Sequence, residues 1–514
     1  MTSGLRQRAV VSSFICTSPQ SPTGLTFALF KRSQGVSTYR GKWAVCSGSI
    51  DSTDTSPENA AKREIREETT LTDQDIFLLR KGKPFSLVDQ ALKTEWTIHP
   101  FAWQLKEGAK PITFDWEHTE YHFIKSEDVE KYDHVPQLEV GMQRVMVSPD
   151  TERALAVLRD DHESGAEALA VKALNLLKQA LRWDEILALS TAEEFWRQFR
   201  WIVWHLAKNG RPSMGAAIEA ALFKTLDVVQ KQLVAPGSEG IGGIPLETLK
   251  NSVEKAITEC IEIVKKQLER LSTHFVQYVE QVISPSEGET AEKSINIITL
   301  SASGTVTAAL QALIKTVTKR GITIKLSILE SRPKFEGAAS VNTLLAGLNN
   351  DAAIRQHLEI EIVSDASVAS LASHADFLVF GGDKVLPDAS VSNKIGTLAA
   401  SIAAKHGNSR CKVVALFQTS KIVGFDEELL EVEYNDEKEV VDAWPESCQK
   451  GIKERRKEGW KIEARNAYFE WVPGSADREL IDARISEEGL LDRGDLERIA
   501  KESGELEKRL FGDL

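Results

Sequence analysis

The sequence predicts an α/β protein in three parts: a mixed α+β domain (residues 1–150), an all-helical subdomain (151–288) and a doubly wound parallel sheet (289–514). Three observations predict this class. The 514 residues exceed the size of about 250–300 residues at which a single hydrophobic core stops growing. The periodicity of the apolar residues changes twice along the chain. Hydrophobic residues make up 42% and charged residues 27%, as in ordinary folded proteins.

The first part combines short strands with one clear helix. The runs that favour strands are separated by turn-rich stretches; they are AVVSSFIC, LTFALFKR, EWTIHPFAWQL and EYHFI. A helix is expected at about residues 57–69. Pro57 after Ser56 suits a first helical position, and Thr55 with Glu58 three residues later forms an alternative capping box.

The remaining two parts differ in periodicity. Segments such as IPLETLKNSVEKAITECIEIVKKQLERL repeat apolar residues at helical spacing. After the polar break SPSEGETAEKS, apolar runs alternate with helix-length segments, which is typical of a parallel sheet covered on both faces; the runs are INIITL, TIKLSIL, LEIEIV, DFLVF and CKVVALF. The segment CQKGIKERRKEGWKIEAR is expected to be a basic surface insertion, and GDLERIAKESGELEKRL an exposed helical tail.

Composition excludes several classes of protein. With 63 Lys and Arg against 76 Asp and Glu, the net charge is -13, which argues against a direct nucleic-acid partner. No run approaches the roughly 18 apolar residues of a membrane span. The five cysteines are scattered without zinc-site spacing, and the amino-terminal sequence lacks the apolar core of a secretory signal. We therefore expect a cytoplasmic protein in a reducing compartment.

Carboxylates crowd one side of the expected helix at 57–69. In the run REIREE, Glu64 lies three residues before Glu67 and four before Glu68, so like charges repel across one helix face. A divalent cation would reverse this repulsion, and carboxylate oxygens suit Mg²⁺ or Mn²⁺. The alternative is a solvated helix in which Arg63 pairs with Glu67.

The segment WAVCSGSIDSTDTSPENAAKREIREETTL resembles the Nudix hydrolase family, whose box reads G-x5-E-x7-R-E-U-x-E-E-x-G-U with U a bulky apolar residue. The resemblance implies an α/β/α Nudix sandwich over about residues 5–145, with EHTEYHFIKSEDV as the closing strand and the helix after it. It also implies a role for each matching residue: Gly48 opens the box at the ligand, Arg63 braces it, and the ligands of Mg²⁺ (or Mn²⁺) are Glu64, Glu67 and Glu68.

The chain departs from the box at three places. The first glutamate is missing, and either Asp54 or Thr55 stands in its place. Thr70 replaces the glycine, and Cys46-Ser47 replaces the usual Pro-Gly. The metal-binding trio is kept, so the resemblance implies either a hydrolase or a module that binds a nucleotide without cleaving it.

Polar loops follow the strands of the third part. In open α/β sheets ligands lie at the carboxyl ends of strands, and a small-residue turn that enters a helix offers free N–H groups to a phosphate. For SASGT alone, a plain strand-to-helix turn is the alternative. A shared pocket is predicted from four polar loops on one sheet edge: SASGT with Ser303 and Gly304, ESRPKFEG with Arg332 and Lys334, GGDK with Asp383, and NKIGT. In the helical part, NGRPSMG places Arg211 in a turn that opens another helix.

Together these motifs resemble the family that unites the alpha, beta and delta regulatory subunits of translation initiation factor 2B with ribose-1,5-bisphosphate and methylthioribose-1-phosphate isomerases. The match covers about residues 160–500, including SDAS, TSK, NAYFEWVP and LIDARISEEG. It implies a helical subdomain, a Rossmann-like subdomain through which the protein dimerises, and a sugar-phosphate pocket. The implied pocket residues are Arg211, Ser301, Ser303, Arg332, Asp383, Asn393 and Lys394.

The isomerases of this family use a cysteine and an aspartate as the acid/base pair. Asp383 matches the aspartate, whereas Ser301 stands where the cysteine is expected, and a serine hydroxyl exchanges protons far less readily near neutral pH. Isomerase chemistry is therefore in doubt, while binding of a sugar phosphate or nucleotide is not.

The sequence leaves three hypotheses on function. In the first, a Mg²⁺-dependent Nudix hydrolase of a diphosphate-linked molecule is fused to a module that binds a phosphorylated sugar or nucleotide. In the second, the Nudix part is inactive and the protein assembles with related initiation factor 2B subunits. In the third, the carboxyl part is an aldose–ketose isomerase in which Ser301 replaces the cysteine. A homodimer or association with related subunits is expected in each.

Overall fold

The computed structural model describes residues 5–17, 25–90, 92–161, 164–211, 215–233, 241–284, 294–424, 434–475 and 477–514. It divides into two compact units, Met1–Leu155 and Ala156–Leu514. Among the described residues, no helix is both long and apolar enough to cross a bilayer.

The strands are β1 (Arg6–Cys16), β2 (Phe27–Arg32), β3 (Trp43–Ala44), β4 (Cys46–Ser49), β5 (Ile76–Lys81), β6 (Phe85–Asp89), β7 (Thr94–Leu105), β8 (His118–Ile124), β9 (Ser294–Leu300), β10 (Thr323–Leu329), β11 (Leu358–Val363), β12 (Phe377–Gly381), β13 (Lys384–Val385), β14 (Val391–Lys394), β15 (Lys412–Leu416), β16 (Tyr434–Asn435), β17 (Asn466–Ala467), β18 (Phe469–Val472), β19 (Ala483–Ser486) and β20 (Gly489–Leu490).

The α-helices are α1 (Pro57–Thr69), α2 (Leu138–Gln143), α3 (Pro149–Arg159), α4 (Ala166–Ala180), α5 (Asp184–Leu187), α6 (Ala192–Asn209), α7 (Gly215–Leu233), α8 (Leu246–Ile283), α9 (Gly304–Val317), α10 (Glu336–Ala346), α11 (Ala352–Gln356), α12 (Val368–Ala372), α13 (Thr397–Gly407), α14 (Glu437–Asp442), α15 (Glu446–Lys457) and α16 (Arg493–Phe511).

The amino-terminal unit is a mixed sheet between helices. Strand β1 runs parallel to β7 over its whole length, and the path through the sheet is β3-β2-β1-β7-β5. Alternate residues of β1 point to opposite faces. On one face Val11 and Ile15 pack with Ala60 and Ile65 of α1, and on the other face Phe14 joins the core that contains α2. This is an α/β/α sandwich, as the fold class predicts.

Helix α1 begins and ends in ways that the sequence marks. Ser56 is the N-cap, and its hydroxyl accepts a hydrogen bond from the Asn59 backbone. The alternative cap at Thr55 is not formed, because the Thr55 hydroxyl instead accepts from the Asn59 side chain. Thr70, which stands in place of the box glycine, is the C-cap and has a left-handed φ of 62°. A glycine would take this conformation without strain.

The carboxyl-terminal unit begins with a helical bundle. Helices α4, α6, α7 and α8 pack against one another. Helix α8 has 38 residues and carries a buried stripe along its length. The first half of that stripe, with Val253 and Ile257, is buried with the bundle, and its second half, with Phe275 and Val279, joins the core of the following sheet. One long amphipathic helix thus connects the bundle to the sheet.

The sheet of this unit has the order β11-β10-β9-β12-β15-β19-β20. All neighbouring pairs are parallel except the last, β19 with β20. The direction of winding reverses between β9 and β12, which is the position where ligands bind in doubly wound sheets. The predicted Rossmann-like architecture is confirmed. A second, antiparallel sheet of β13, β14 and β18 lies beyond the strand ends.

The helix expected after β8 is present as a 3-10 helix, Ser126–Lys131. One sequence expectation needs correction. The carboxyl-terminal helix α16 is not an exposed tail, because Leu510 and Phe511 are fully buried and the Phe511 ring lies 4.8 Å from that of Phe223. The ion pair of Arg509 with Asp227 and the hydrogen bond from Arg200 to the Leu510 carbonyl also hold this end of the helix. The polar break at 285–293 lies outside the described residues.

Candidate functional site

The first candidate site is the carboxylate face of α1. Glu64 lies against Gly48 of β4 so closely that a Cβ at position 48 would stand 2.0 Å from the Glu64 carboxyl carbon. The glycine therefore makes room for the carboxylate. Burial raises the pKa of Glu64, and the charge of Arg63 opposes that rise.

Glu68 is the most enclosed of the three carboxylates. It is 3% exposed, and its Oε1 accepts a hydrogen bond from the Ser47 backbone at 3.2 Å. Its Oε2 is buried without a hydrogen-bond partner. Burial holds the pKa of Glu68 well above its usual range. An enclosed oxygen of this kind needs either a proton or a cation.

Arg63 connects the carboxylates of this face through hydrogen bonds. Its guanidinium donates to both carboxylate oxygens of Asp54, at 3.1 and 2.8 Å, and to Glu64 at 2.7 Å. A longer bond of 3.3 Å reaches Glu67, whose side chain is 54% exposed. The hydrogen bond from Arg63 lowers the pKa of Asp54. Of the two residues considered for the place of the missing box glutamate, Asp54 is therefore the one that binds Arg63.

The donor set suits a hard divalent cation. Among the described residues, no three His, Cys, Asp or Glu side chains stand close enough together to hold a metal ion as they are placed. Glu64 and Glu67 both face Arg63, while the free Oε2 of Glu68 points to a missing partner. Carboxylate oxygens with one buried orphan fit Mg²⁺ or Mn²⁺.

Two residues near this face were missed by the sequence analysis. The charge of Glu117 raises the pKa of both Glu64 and Glu68, so its carboxylate faces theirs. The His118 ring lies 3.8 Å from Glu68 Oε2, but burial lowers the pKa of His118 to about 4, so the contact is not an ion pair. Both residues belong to EHTEYHFI. This run has the pattern of a strand, and the pattern does not show that Glu117, just before β8, lies near the carboxylates of α1.

The second candidate site lies at the carboxyl ends of β9, β10 and β12. The Ser301 backbone donates to the Ser331 hydroxyl at 2.7 Å, which joins the loop after β9 to the loop after β10. Both oxygens of Asp365 accept backbone N–H groups, from Ser331 and Arg332. Ser301 and Ser331 have left-handed φ values of 67° and 60°. Strained, tied loops of this kind are common where a ligand binds.

Small residues bring the loop after β9 close to that after β12. Ser303 is the N-cap of α9, whose first residue is Gly304, and its hydroxyl accepts from Val306. A Cβ on Gly381 would stand 2.8 Å from that hydroxyl and 3.8 Å from Asn393 Oδ1. Asn393 donates to Thr397 at 2.9 Å. The amino end of a 14-residue helix thus opens at the switch point.

The three cations of these loops already contact protein groups. Lys394 is 3% exposed, lies 2.8 Å from Glu336 and stacks on the Tyr468 ring at 3.3 Å. Arg332 donates to the Ala443 carbonyl at 2.9 Å, and Lys334 pairs with Glu439 at 2.6 Å. We call residues 436–443, which include α14, the acidic strap. It covers two of the predicted ligand-binding cations.

Asp383 and Arg211 occupy different surroundings. Half-buried Asp383 follows β12; burial raises its pKa, and the charges of Lys421 and Lys394 oppose that rise. Arg211 donates to the carbonyl oxygens of Arg159 and Asp161, at 2.9 and 2.7 Å, so its guanidinium fixes a loop of the helical bundle. The neighbouring motif residues Pro212, Ser213 and Met214 lie outside the described residues.

Comparison with known proteins decides the family. A family model described as "Initiation factor 2 subunit family" matches residues 162–493, more than half of the 514 residues. The chain belongs to this family. A second model, "NUDIX domain", matches residues 7–145. Both resemblances predicted from the sequence are confirmed, and the chain is a fusion of a Nudix domain with an initiation factor 2 subunit domain.

Individual relatives are isomerases by name. A ribose 1,5-bisphosphate isomerase of Archaeoglobus fulgidus is 27% identical over 245 residues, which are 47% of this chain and 69% of that protein. A methylthioribose-1-phosphate isomerase of Pseudomonas syringae pv. syringae is 25% identical over 34% of this chain and 42% of that protein. Among solved structures, 5-methylthioribose 1-phosphate isomerase from Pyrococcus horikoshii OT3 covers 69% of this chain and 88% of its own, at 18% identity and TM-score 0.47.

Proposed function

We propose that the Nudix domain hydrolyses a diphosphate-linked small molecule and that the initiation factor 2 subunit domain binds a phosphorylated sugar or nucleotide. The observation that carries the first half is the enclosed carboxylate face of α1, with the buried, unpaired Oε2 of Glu68 at its centre. The Nudix family match supports the same reading.

Each residue of the face has a distinct part in this hydrolysis. Glu64, Glu67 and Glu68 would hold Mg²⁺ or Mn²⁺. When bound, the ion neutralises diphosphate charge and lowers the pKa of a water molecule. Ser47 fixes Glu68 through its backbone N–H, and Gly48 leaves space for Glu64. Asp54 holds the Arg63 guanidinium in place, which keeps the carboxylates from moving apart.

Phosphate release from a panel of substrates tests this half. Nucleoside diphosphate sugars, dinucleoside polyphosphates and nucleoside triphosphates are incubated with the full chain and Mg²⁺. Turnover is expected for the wild type and should be lost in the Glu67→Gln/Glu68→Gln variant. Glu58→Gln is the matched control, since Glu58 lies on the same helix but pairs with Lys81 at 2.9 Å. Metal-dependent turnover that survives the double substitution excludes the proposed hydrolase site.

Binding by the second domain is supported by the loops at the switch point of its sheet. Ser303 caps a helix whose amino end faces the ligand edge, and Lys394 lies buried beside it on β14. Calorimetric titration with ribose 1,5-bisphosphate and with nucleotides tests the proposal. Lys394→Met should abolish the heat of binding, and the absence of binding to any phosphorylated compound in the wild type would contradict it.

Isomerisation is the second candidate function, favoured by the names of the relatives. Asp383 is present, but Ser301 lacks the acidity of a thiol. If the site isomerises ribose 1,5-bisphosphate through these two residues, Ser301→Cys should raise the rate. A wild type that binds the compound without turning it over removes this candidate. Light scattering of the pure protein, alone and with related subunits, tests the remaining proposal of dimerisation or assembly.

A further inference from the structure

A cavity of about 740 Å³ lies in the carboxyl-terminal unit beside Asp383. Its walls are α7, α16 and residues 419–424. This volume falls within the range of about 300–1,000 Å³ that is typical of small-molecule pockets. The walls carry charges of both signs, and most of these pair locally: Lys231 and Arg509 both contact Asp227, and Lys208 contacts Glu219.

Lys421 is the exception among these wall residues. It is only 6% exposed, yet among the described residues it has no hydrogen-bond or ion-pair partner for its amine. The turn that carries it is rigid, because Glu487 accepts hydrogen bonds from both the backbone and the hydroxyl of Thr419. An enclosed lysine that lines a cavity is favoured where a ligand or a reaction uses its amine.

Asp383 lines the same cavity, and its charge acts on Lys421. The bridge between Val385 and Ile422 holds the segments that carry the two side chains next to each other. Burial lowers the pKa of Lys421, an effect that Asp383 opposes, and burial raises the pKa of Asp383. Both shifts favour uncharged groups, namely a nucleophilic amine and a carboxyl group that can donate a proton.

We propose that Lys421 forms an imine with the open-chain carbonyl of an aldose or ketose phosphate, with Asp383 as the proton donor. The nitrogen lone pair bonds to the carbonyl carbon, and the C=O pair moves to oxygen. One proton passes from the positively charged nitrogen to this oxygen, which gives a hydroxyl. The carboxyl group of Asp383 then gives its proton to the hydroxyl, which leaves as water while the C=N bond forms. The products are a protonated imine, water and the Asp383 carboxylate.

The inference rests on the proposed binding of a phosphorylated sugar by this domain. Asp383 connects the two regions, because it lines the cavity and follows shortly after Gly381, which packs against Ser303 of the loops. A ligand whose phosphate lies at the loops would therefore place its carbonyl end toward Asp383 and the cavity. An imine also supplies a route to carbonyl chemistry that does not need a thiol at position 301.

Borohydride trapping tests the proposal. The full chain is incubated with D-ribose 5-phosphate, reduced with sodium borohydride, digested and analysed by mass spectrometry. The reduced adduct is expected at Lys421 in preference to every other lysine. It should be lost in Lys421→Arg, which keeps the positive charge but cannot form the imine, and kept in Lys224→Arg. Lys224 is the matched control, since it lines the same cavity but its side chain is 53% exposed.

The outcomes separate the two proposals. Calorimetric binding of ribose 5-phosphate without an adduct at Lys421 overturns the imine alone, and leaves Lys421 as a counter-charge to Asp383. If ribose 5-phosphate neither binds nor forms an adduct, both proposals are overturned. Adducts that are spread evenly over the exposed lysines also overturn the imine proposal. If Lys421→Arg does not fold, the position of the adduct in the wild type still decides, and Asp383→Asn should slow adduct formation while ribose 5-phosphate still binds.

Discussion

At the scale of single residues, the space beside Gly48 controls the position of a carboxylate. A methyl group there would overlap the carboxylate of Glu64, with its Cβ 2.1 Å from Oε1. Because Glu64 ends in a flexible side chain, it can move aside at little cost in stability. Gly48→Ala is therefore expected to fold normally and to lose about 100-fold in hydrolysis, the effect of displacing a catalytic group by about 1 Å.

The control for this substitution is Gly35→Ala. A Cβ on Gly35 would meet the Trp116 ring at 3.4 Å, which is ordinary contact. Turnover and Mn²⁺ binding should both be unchanged in this variant. Full turnover in Gly48→Ala, with the fold intact by circular dichroism, would show that hydrolysis does not require Glu64 to lie beside residue 48.

Thr70 is a second residue of interest, because its backbone conformation determines how a substitution changes stability. Its left-handed φ of 62° costs an L-residue roughly 1–2 kcal/mol, and a β-branched side chain makes this worse. Glycine removes that strain but loses about 0.5–1 kcal/mol through the freedom of the unfolded chain. Thr70→Gly should therefore stabilise the amino-terminal unit by about 0.5–1 kcal/mol, measured by calorimetry. Thr70→Ala keeps a Cβ and should gain much less; an equal gain would refute the strain argument.

At the scale of elements, the acidic strap competes with an anionic ligand. Its Glu439 pairs with Lys334 and accepts from Asn466 at 2.9 Å, and that ion pair with Lys334 lowers the pKa of Glu439. At neutral pH the strap therefore presents a carboxylate where a phosphate would bind. A half-exposed ion pair contributes up to about 1 kcal/mol. Glu439→Gln should then raise affinity for inorganic phosphate about fivefold.

Titration calorimetry with phosphate measures this change. Glu437→Gln is the matched control, because Glu437 lies on the same short helix but pairs with Arg456 at 3.0 Å. An affinity that is equal in wild type and Glu439→Gln would mean that the strap does not compete. No measurable binding in either protein would instead count against the anion site itself.

Regular elements were predictable because their signals are local and repeated. The start of α1 follows from Ser56 and Pro57, and five of the parallel strands, β9, β10, β11, β12 and β15, follow from runs of β-branched and aliphatic residues. The antiparallel β13 and β14 were not foreseen, because strands of two and four residues carry no periodic pattern. The docking of α16 was missed because its few buried apolar residues are widely spaced, and its ion pairs, such as Arg509 with Asp227, join residues far apart in the sequence.

At the scale of the whole molecule, sequence motifs indicated the two candidate sites, but they did not indicate all the residues that the fold places there. Parallel strands end at one edge, so the meeting of Ser301 with Ser331 could be expected. Glu117 and Glu439 could not, since each is a single polar residue whose importance comes only from what the fold places beside it. Lys421 belongs to the TSK motif, but the sequence does not show the cavity that it lines. Distant pairs such as Lys334 with Glu439 leave no spacing in the sequence to recognise.

The cysteines give a prediction that covers the whole chain. All five are free thiols; Cys16, Cys46, Cys260 and Cys411 are buried, and Cys448 is exposed. Burial raises the pKa of Cys16 to about 12 and of Cys411 to about 11, and it also raises those of Cys46 and Cys260. A raised thiol pKa keeps the sulfur protonated at pH 8, where only the thiolate reacts.

Titration with a thiol reagent at pH 8 should therefore detect one fast thiol in the folded protein and all five of its cysteines in denaturant. Cys448→Ser should remove the fast phase and leave the slow phase unchanged. Because the slow thiols belong to both units, Cys16 and Cys46 to the first and Cys260 and Cys411 to the second, their rates report opening of each core. A second fast thiol that persists in Cys448→Ser would show that one of these cores opens readily under native conditions.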